Sequence, residues 1–237
     1  IRGNTNIVNL ILVSIRDELP PAAAAGSAVT EGRKIPKVPK DAPVLYWKEF
    51  LKLERHCQWT YEVPMKADDT AVILYSGGTT GKTKGVELTN LNFNANAAHI
   101  VGVNQMFNPG DRMMAALPIF HGFGLGVCIH SMLFNGGCCI LMPRFTADSY
   151  SKLLLKKKCN FLAGVPTLYE AMTRTDVLKN ANLSFLKGVF SGGDTLSIEL
   201  KKKIDTFLYD HGATIQVREG YGLTECVTAS CLTPKDT

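Results

Sequence analysis

The sequence predicts an α/β protein: a layered αβ sandwich with mostly parallel sheets. Three observations predict it. Short apolar runs recur along the chain, amphipathic stretches at helical spacing separate them, and glycine-rich turns follow several of the runs. In folds of this kind ligands gather beyond the carboxyl ends of the strands, where the loops collect.

Taken in order, Ile7 to Val13 is rich in Ile and Val and predicts a buried strand. Pro20 to Pro43, rich in Ala, Gly, Pro and Lys without periodicity, predicts a surface connection. Trp47, Phe50, Leu51 and Leu53-Glu54 predict a short helix, and Thr70 to Tyr75 a strand that runs into the turn Ser76 to Gly85. Asn90 to Val103 reads as a helix with Thr89 as its N-cap. Met113 to Leu117 predicts a strand, Leu125 to Phe134 a helix, and Cys138 to Met142 a buried strand. Thr146 caps a helix running through Leu155, Asn160 to Ala163 is a strand, and Pro166 to Thr173 is a helix with proline near its start. Val189-Phe190 belongs to a strand. Ser197 precedes a helix whose apolar face is Leu200, Ile204, Phe207 and Leu208, and Thr214 to Val217 predicts a last strand.

Composition narrows the class. Hydrophobic residues make up 46% and charged residues 20% of the 237, too apolar for a disordered chain. The net charge of +5 comes partly from Lys156-Lys157-Lys158 and Lys201-Lys202-Lys203, which fall on amphipathic helices as solvated faces. No aromatic or glycine pattern of a nucleic-acid module accompanies them, so no nucleic-acid partner is expected. The seven cysteines (57, 128, 138, 139, 159, 226 and 231) show no CxxC and no metal-ligand spacing, which fits reduced thiols in a cytoplasmic protein. The sequence opens at Ile1 without a signal-peptide pattern, and none is expected. Between Arg112 and Arg144 there is no charged residue, yet prolines, glycines and histidines divide the stretch into pieces too short to span a bilayer. Peripheral membrane contact stays open.

Chemistry concentrates in four segments. The first is Tyr75 to Val86, in which glycines at 77, 78 and 81 let backbone N–H groups turn around an anion. Ser76, Thr79 and Thr80 add hydroxyls, and Lys82 and Lys84 add charge, as a polyphosphate requires. It is not a Walker loop, because position 76 is serine where that pattern needs glycine. The second segment is Leu117 to Gly124 around His121; the glycines at 122, 124 and, just beyond it, 126 are followed by Val127 and so miss the dinucleotide fingerprint. The third is Ser191-Gly192-Gly193-Asp194-Thr195-Leu196-Ser197, and the fourth Glu219-Gly220-Tyr221-Gly222-Leu223-Thr224-Glu225.

In this order the segments resemble the signatures of the adenylate-forming superfamily: acyl- and aryl-CoA synthetases, luciferases and peptide-synthetase adenylation domains. Tyr75 to Val86 aligns without gaps to that superfamily's phosphate loop, with Gly77 for its usual Ser/Thr and Thr83 for its usual proline. Leu117 to Gly124 is similar to LPxxHxxG, Ser191 to Ser197 to SGGAPLS, and Glu219 to Glu225 to (Q/E)GYGxTE. Leu223, where peptide-synthetase domains carry proline, favours the CoA ligases.

The resemblance implies a partial N-terminal domain of such an enzyme. Residues 1–88 would end one αβ subdomain with the phosphate loop, and 89–237 would form a second carrying the acyl and adenine sites, the C-terminal lobe being absent. It implies ATP, Mg²⁺ and coenzyme A acting on a small carboxylic acid, a fatty acid first and an aryl acid second. Ser76, Gly77, Gly78, Thr79, Thr80, Gly81 and Lys84 would hold the β- and γ-phosphates. Thr224 would hold the α-phosphate and Glu225 the metal. Tyr221 would stack on the purine beside the Gly193-Asp194 turn, while Glu219, Gly220 and Gly222 complete that segment. His121 would stand between acid and adenylate. The isolated chain is expected to make no thioester. The contrasting classes are a P-loop nucleotide switch and a catalytically silent scaffold.

Overall fold

The structure, a computed structural model of the chain, describes residues 6–29, 38–39, 42–56, 63–77 and 83–234. The chain divides into two units, Ile1–Pro64 and Met65–Thr237.

In the first unit, β1 (Ile11–Leu12) pairs in parallel with β2 (Leu45–Tyr46). The predicted buried strand over 7–13 is therefore a short, largely exposed ribbon, with Val8 75% exposed. A pair this short has little area with which to bury its side chains. The stretch predicted as an irregular connection contains α1 (Pro21–Val29). Pro21 sits at the first helical position, where a missing N–H costs nothing, and the alanines behind it have the highest helix propensity. The helix predicted around Trp47 is α2 (Trp47–Lys52), with Trp47 stacked on Phe50 at 5.7 Å.

The second unit opens with a hairpin of antiparallel strands, β3 (Thr70–Gly77) and β4 (Thr83–Thr89). β4 is absent from the sequence-based expectation because its glycine-rich start reads as turn, although Val86-Glu87-Leu88 alternates with the period of a half-buried strand. The hairpin packs through Leu74 and Leu88 onto Phe93 and Val227. It thus lies in the second unit, ahead of the subdomain division expected after residue 88. Next comes α3 (Asn90–Asn104), capped as expected: Thr89 Oγ1 accepts from the Asn92 N–H (3.2 Å), and Asn92 Oδ1 accepts from the Thr89 N–H (2.9 Å).

The main sheet has six strands: β5 (Arg112–Ala115), β6 (Cys138–Leu141), β7 (Phe161–Gly164), β8 (Gly188–Ser191), β9 (Val217–Tyr221) and β10 (Cys231–Leu232). Their order is β10-β9-β8-β7-β5-β6, parallel throughout except for β10. Alternation along each strand builds two cores. Met114, Leu162, Val189 and Val217 face α5 (Ala147–Lys157), α6 (Pro166–Thr173) and α7 (Ile198–Asp210), whose Tyr150, Tyr169, Ile204 and Leu208 are fully buried. Met113, Ala115, Phe161, Ala163 and Phe190 face α3, a π-helix at Phe123–His130 and α4 (Ser131–Phe134). The result is the predicted layered α/β sandwich with a mostly parallel sheet. Lys156, Lys157, Lys158, Lys202 and Lys203 are exposed, as expected of solvated faces.

Two strand expectations need correction. β6 is an edge strand, so Cys138 is exposed rather than buried. β9 begins at Val217, where the predicted strand ends, because its pairing to β8 and β10 carries it through Glu219-Gly220-Tyr221. No helix of the described residues is long and apolar enough to cross a membrane. The β5→β6 connection runs over the α3 face and the β6→β7 connection over the opposite one, placing β6 and β7 on either side of β5. Such a switch opens a crevice at the carboxyl ends of β5 and β7.

Candidate active site

A cavity of about 510 Å³ lies at the carboxyl ends of β8 and β9 beside the loop that follows β5, and residues from all four sequence segments line it. From the hairpin come Ser76, Gly77 and Lys84. Ser76 stands opposite Lys84 in the antiparallel register, so both point to the same face of the ribbon. Gly78, Thr79, Thr80, Gly81 and Lys82 lie outside the described residues.

From the loop after β5 comes His121, exposed at the cavity wall. Its Nδ1 accepts from the Phe123 N–H at 3.1 Å, which places the proton of the neutral ring on Nε2. The glycines behind it are tightly enclosed. A Cβ on Gly122 would lie 2.1 Å from the Val227 carbonyl oxygen, one on Gly124 2.2 Å from that of Pro118, and one on Gly126 2.6 Å from Thr228 Cγ2. The space these glycines offer is thus filled by the chain's own Pro118, Val227 and Thr228, rather than left open for an aliphatic tail.

β8 ends in Ser191, Gly192 and Gly193, all of which line the cavity. Gly193 adopts φ +77°, a conformation suited to glycine. Ser191 Oγ is buried without a hydrogen-bond partner, a donor left over for a ligand. Asp194 caps its own turn, Oδ1 accepting from the Thr195 N–H at 2.7 Å, and stays outside the lining.

β9 delivers Gly220 and Tyr221, and the turn beyond it Gly222, Leu223, Thr224 and Glu225. Tyr221 is 62% exposed and offers a free aromatic face. Glu219 is exposed and outside the lining; its carbonyl instead accepts from the Thr233 N–H at 2.9 Å. Among the described lining residues, Glu225 is the one carboxylate. No described cluster of three or more His, Cys, Asp or Glu could cage a metal. One carboxylate suits Mg²⁺ that also binds substrate phosphates, and would not suit an all-protein cage.

Sequence reasoning missed the wall supplied by α3: His99, Ile100, Val103 and Asn104. Their i, i+1, i+4, i+5 spacing marks one helix face, a signal available from the sequence but read only as helix. Under this wall Arg218 is buried; its Nη1 donates to Asn104 Oδ1 (2.8 Å), its Nε donates to the Thr233 carbonyl (2.7 Å), and its guanidinium lies 5.7 Å from the Phe190 ring centroid.

Comparison with known proteins places the chain among its relatives. The luciferin 4-monooxygenase of Nipponoluciola cruciata is 34% identical over 180 residues, covering 74% of this chain and 31% of its own. The long-chain-fatty-acid–CoA ligase of Bacillus subtilis is 30% identical over 226 residues, covering 93% of this chain and 39% of its own. Among solved structures, MatB from Rhodopseudomonas palustris matches with a TM-score of 0.69 at 26% identity, over 96% of this chain and 42% of that one. The chain therefore spans less than half the length of these proteins. The model of the AMP-binding enzyme family matches residues 8–237, and with its signature segments converging on one cavity, the chain belongs to that family.

Proposed function

We propose that this chain carries the ATP- and acid-gripping part of an acid–thiol ligase, an acyl-CoA synthetase that works through an acyl-adenylate. The observation that carries the proposal is the convergence of four separated segments on one cavity at the carboxyl ends of β5, β8 and β9.

A carboxylic acid is already ionised at neutral pH and needs no general base to attack the α-phosphorus of ATP. A carboxylate oxygen bonds to phosphorus as the bond to pyrophosphate breaks; the thiol of CoA then displaces AMP from the acyl carbon. The site must position the two reactants and balance the phosphate charge. Ser76, Gly77 and Lys84 border the cavity where the β- and γ-phosphates would lie, and the sequence assigns Gly78, Thr79, Thr80 and Gly81 to the same task. Thr224 would donate to the α-phosphate, and Tyr221 would stack on adenine against Gly192 and Gly193. His121 would separate acid from nucleotide. Glu225 would hold Mg²⁺, which supplies charge neutralisation when bound.

A fatty acid is the acid proposed. The apolar wall of Ile100, Val103, Phe107, Val127, Phe190 and Leu232 supports it, as does the Bacillus subtilis relative that aligns over 93% of this chain. An aryl acid is the second reading, favoured by the filling of Gly122 and Gly126, which shortens the apolar path. A cytoplasmic setting, where the chain's thiols stay reduced, belongs to the same proposal. So does the expectation that thioester release needs the rest of a longer enzyme, since the chain spans 31% and 39% of the two relatives named above. The test is ATP–pyrophosphate exchange by the full-length enzyme across a panel of fatty and aryl acids. Exchange that rises with fatty acids supports the reading, exchange with aryl acids alone selects the second, and exchange with neither overturns both.

A further inference from the structure

Helix α3 does more than wall the cavity. Asn96 Nδ2 donates to the carbonyls of Cys226 (3.3 Å) and Ala229 (2.9 Å), so one amide holds both ends of the turn that follows Glu225. Between those ends Val227 has φ +67° and ψ −58°, and the Thr228 N–H donates to the Cys226 carbonyl at 2.8 Å. This is a γ-turn of the positive-φ kind centred on a β-branched residue, a conformation that is rare and costs about 1–3 kcal/mol.

Such a turn persists only where its surroundings over-determine it. The Val227 side chain is 3% exposed, packed with Leu74 and Leu88 of the hairpin and Phe93 of α3. The Val227 carbonyl lies against Gly122, next to His121, and the Thr228 carbonyl against Gly222, two residues before Thr224. One turn therefore touches the hairpin, the histidine loop and the segment that carries Thr224 and Glu225. A change at the turn would move them relative to one another.

We infer that Asn96 is a positioning residue for adenylation: by tying the carbonyls of Cys226 and Ala229 it holds the strained Val227 turn, and through that turn sets Thr224 and Glu225 against the His121 loop. The inference rests on the adenylation reading and adds to it a residue that touches no substrate.

The test uses the full-length enzyme with Asn96→Asp and Asn96→Ala. Aspartate keeps the shape but sets an oxygen against two carbonyl oxygens; alanine removes the donor without adding repulsion. Both variants are assayed by pyrophosphate exchange and by amide hydrogen exchange over 224–229. Because a misplacement of about 1 Å costs about 100-fold, kcat is expected to fall by about 10- to 100-fold in Asn96→Asp and less in Asn96→Ala. KM for ATP should change little, and amides over 226–229 should exchange faster while β7 and β8 keep their protection. Unchanged kcat, or a loss confined to KM, overturns the inference while leaving adenylation standing. Collapse of the whole fold in both variants assigns Asn96 to stability alone and also overturns it. A wild-type enzyme without acid-dependent exchange removes the adenylation reading, and the inference falls with it.

Discussion

Gly222→Ala separates a glycine required by packing from one that is not. A Cβ at position 222 would stand 1.3 Å from the Thr228 carbonyl oxygen and 2.4 Å from its carbon, against the 3.4 Å where ordinary contact begins. The Thr228 carbonyl would have to retreat by about 2 Å, an overpacking strain of about 1–3 kcal/mol or more. It cannot retreat alone, because its turn is tied to Asn96 and buried through Val227. The strain should pass into Thr224 and Glu225, and a misplacement of about 1 Å there costs about 100-fold in rate. Gly220→Ala is the control for stability. Its Cβ would meet the Cys231 carbonyl oxygen at 3.7 Å, an ordinary contact, and alanine in a strand is favoured over glycine by about 0.5–1 kcal/mol. Denaturant unfolding and pyrophosphate exchange on the full-length enzyme read the two quantities. Gly222→Ala should lower both and Gly220→Ala should leave stability unchanged or raised. Equal stability and exchange for Gly222→Ala and wild type would refute the close approach of Thr228 to Gly222.

Further predictions concern charge. Glu225→Gln keeps shape and removes charge, so adenylation should fall strongly and most at limiting Mg²⁺, with the unfolding midpoint unchanged; unaltered exchange at low Mg²⁺ would remove the metal assignment. Lys84 lines the cavity, so Lys84→Ala should cost more exchange activity than Lys82→Ala; the reverse order would revive a Walker-type loop. His130 packs edge-on against Phe93 at 5.3 Å with Nε2 buried and unpartnered, and burial lowers its pKa below the ordinary 6.5. As pH falls through 6.5 the unfolded chain takes the proton first. The stability held by the neutral ring is therefore present above that pH and is lost below it. Unfolding midpoints should fall less steeply between neutral pH and pH 5 (roughly the window in which His titrates) for His130→Gln than for wild type. Parallel pH profiles would refute this.

Much of the architecture is legible because side-chain period and local capping speak directly. The helix face Leu200, Ile204, Phe207 and Leu208 points into the core, with Ile204 and Leu208 fully buried. Thr89, Thr146 and Ser197 each accept from the backbone N–H three residues on, at 3.2 Å. The segments that meet at the cavity stand out for a different reason: close backbone approach demands glycine, as at Gly122, Gly192 and Gly222. What fails is long-range. β10 and the end of β9 exist through pairing across the sheet, which polar residues and glycine do not announce. Gly122 and Gly126 read as space until residues distant in sequence fill it. Asp194 and Glu219 sit in site segments yet lie outside the cavity lining, Asp194 accepting from the Thr195 N–H of its own turn and Glu219 exposed on β9.

The proposed function requires that the enzyme to which this chain belongs join a carboxylate to the α-phosphorus of ATP. The most direct measurement supplies the full-length enzyme with ATP, CoA and a carboxylic acid whose carboxylate oxygens carry a heavy isotope, then weighs the nucleotide and phosphate products. Adenylation predicts heavy oxygen in AMP and none in pyrophosphate. Heavy oxygen in inorganic phosphate alongside ADP, or AMP without label, would contradict the account.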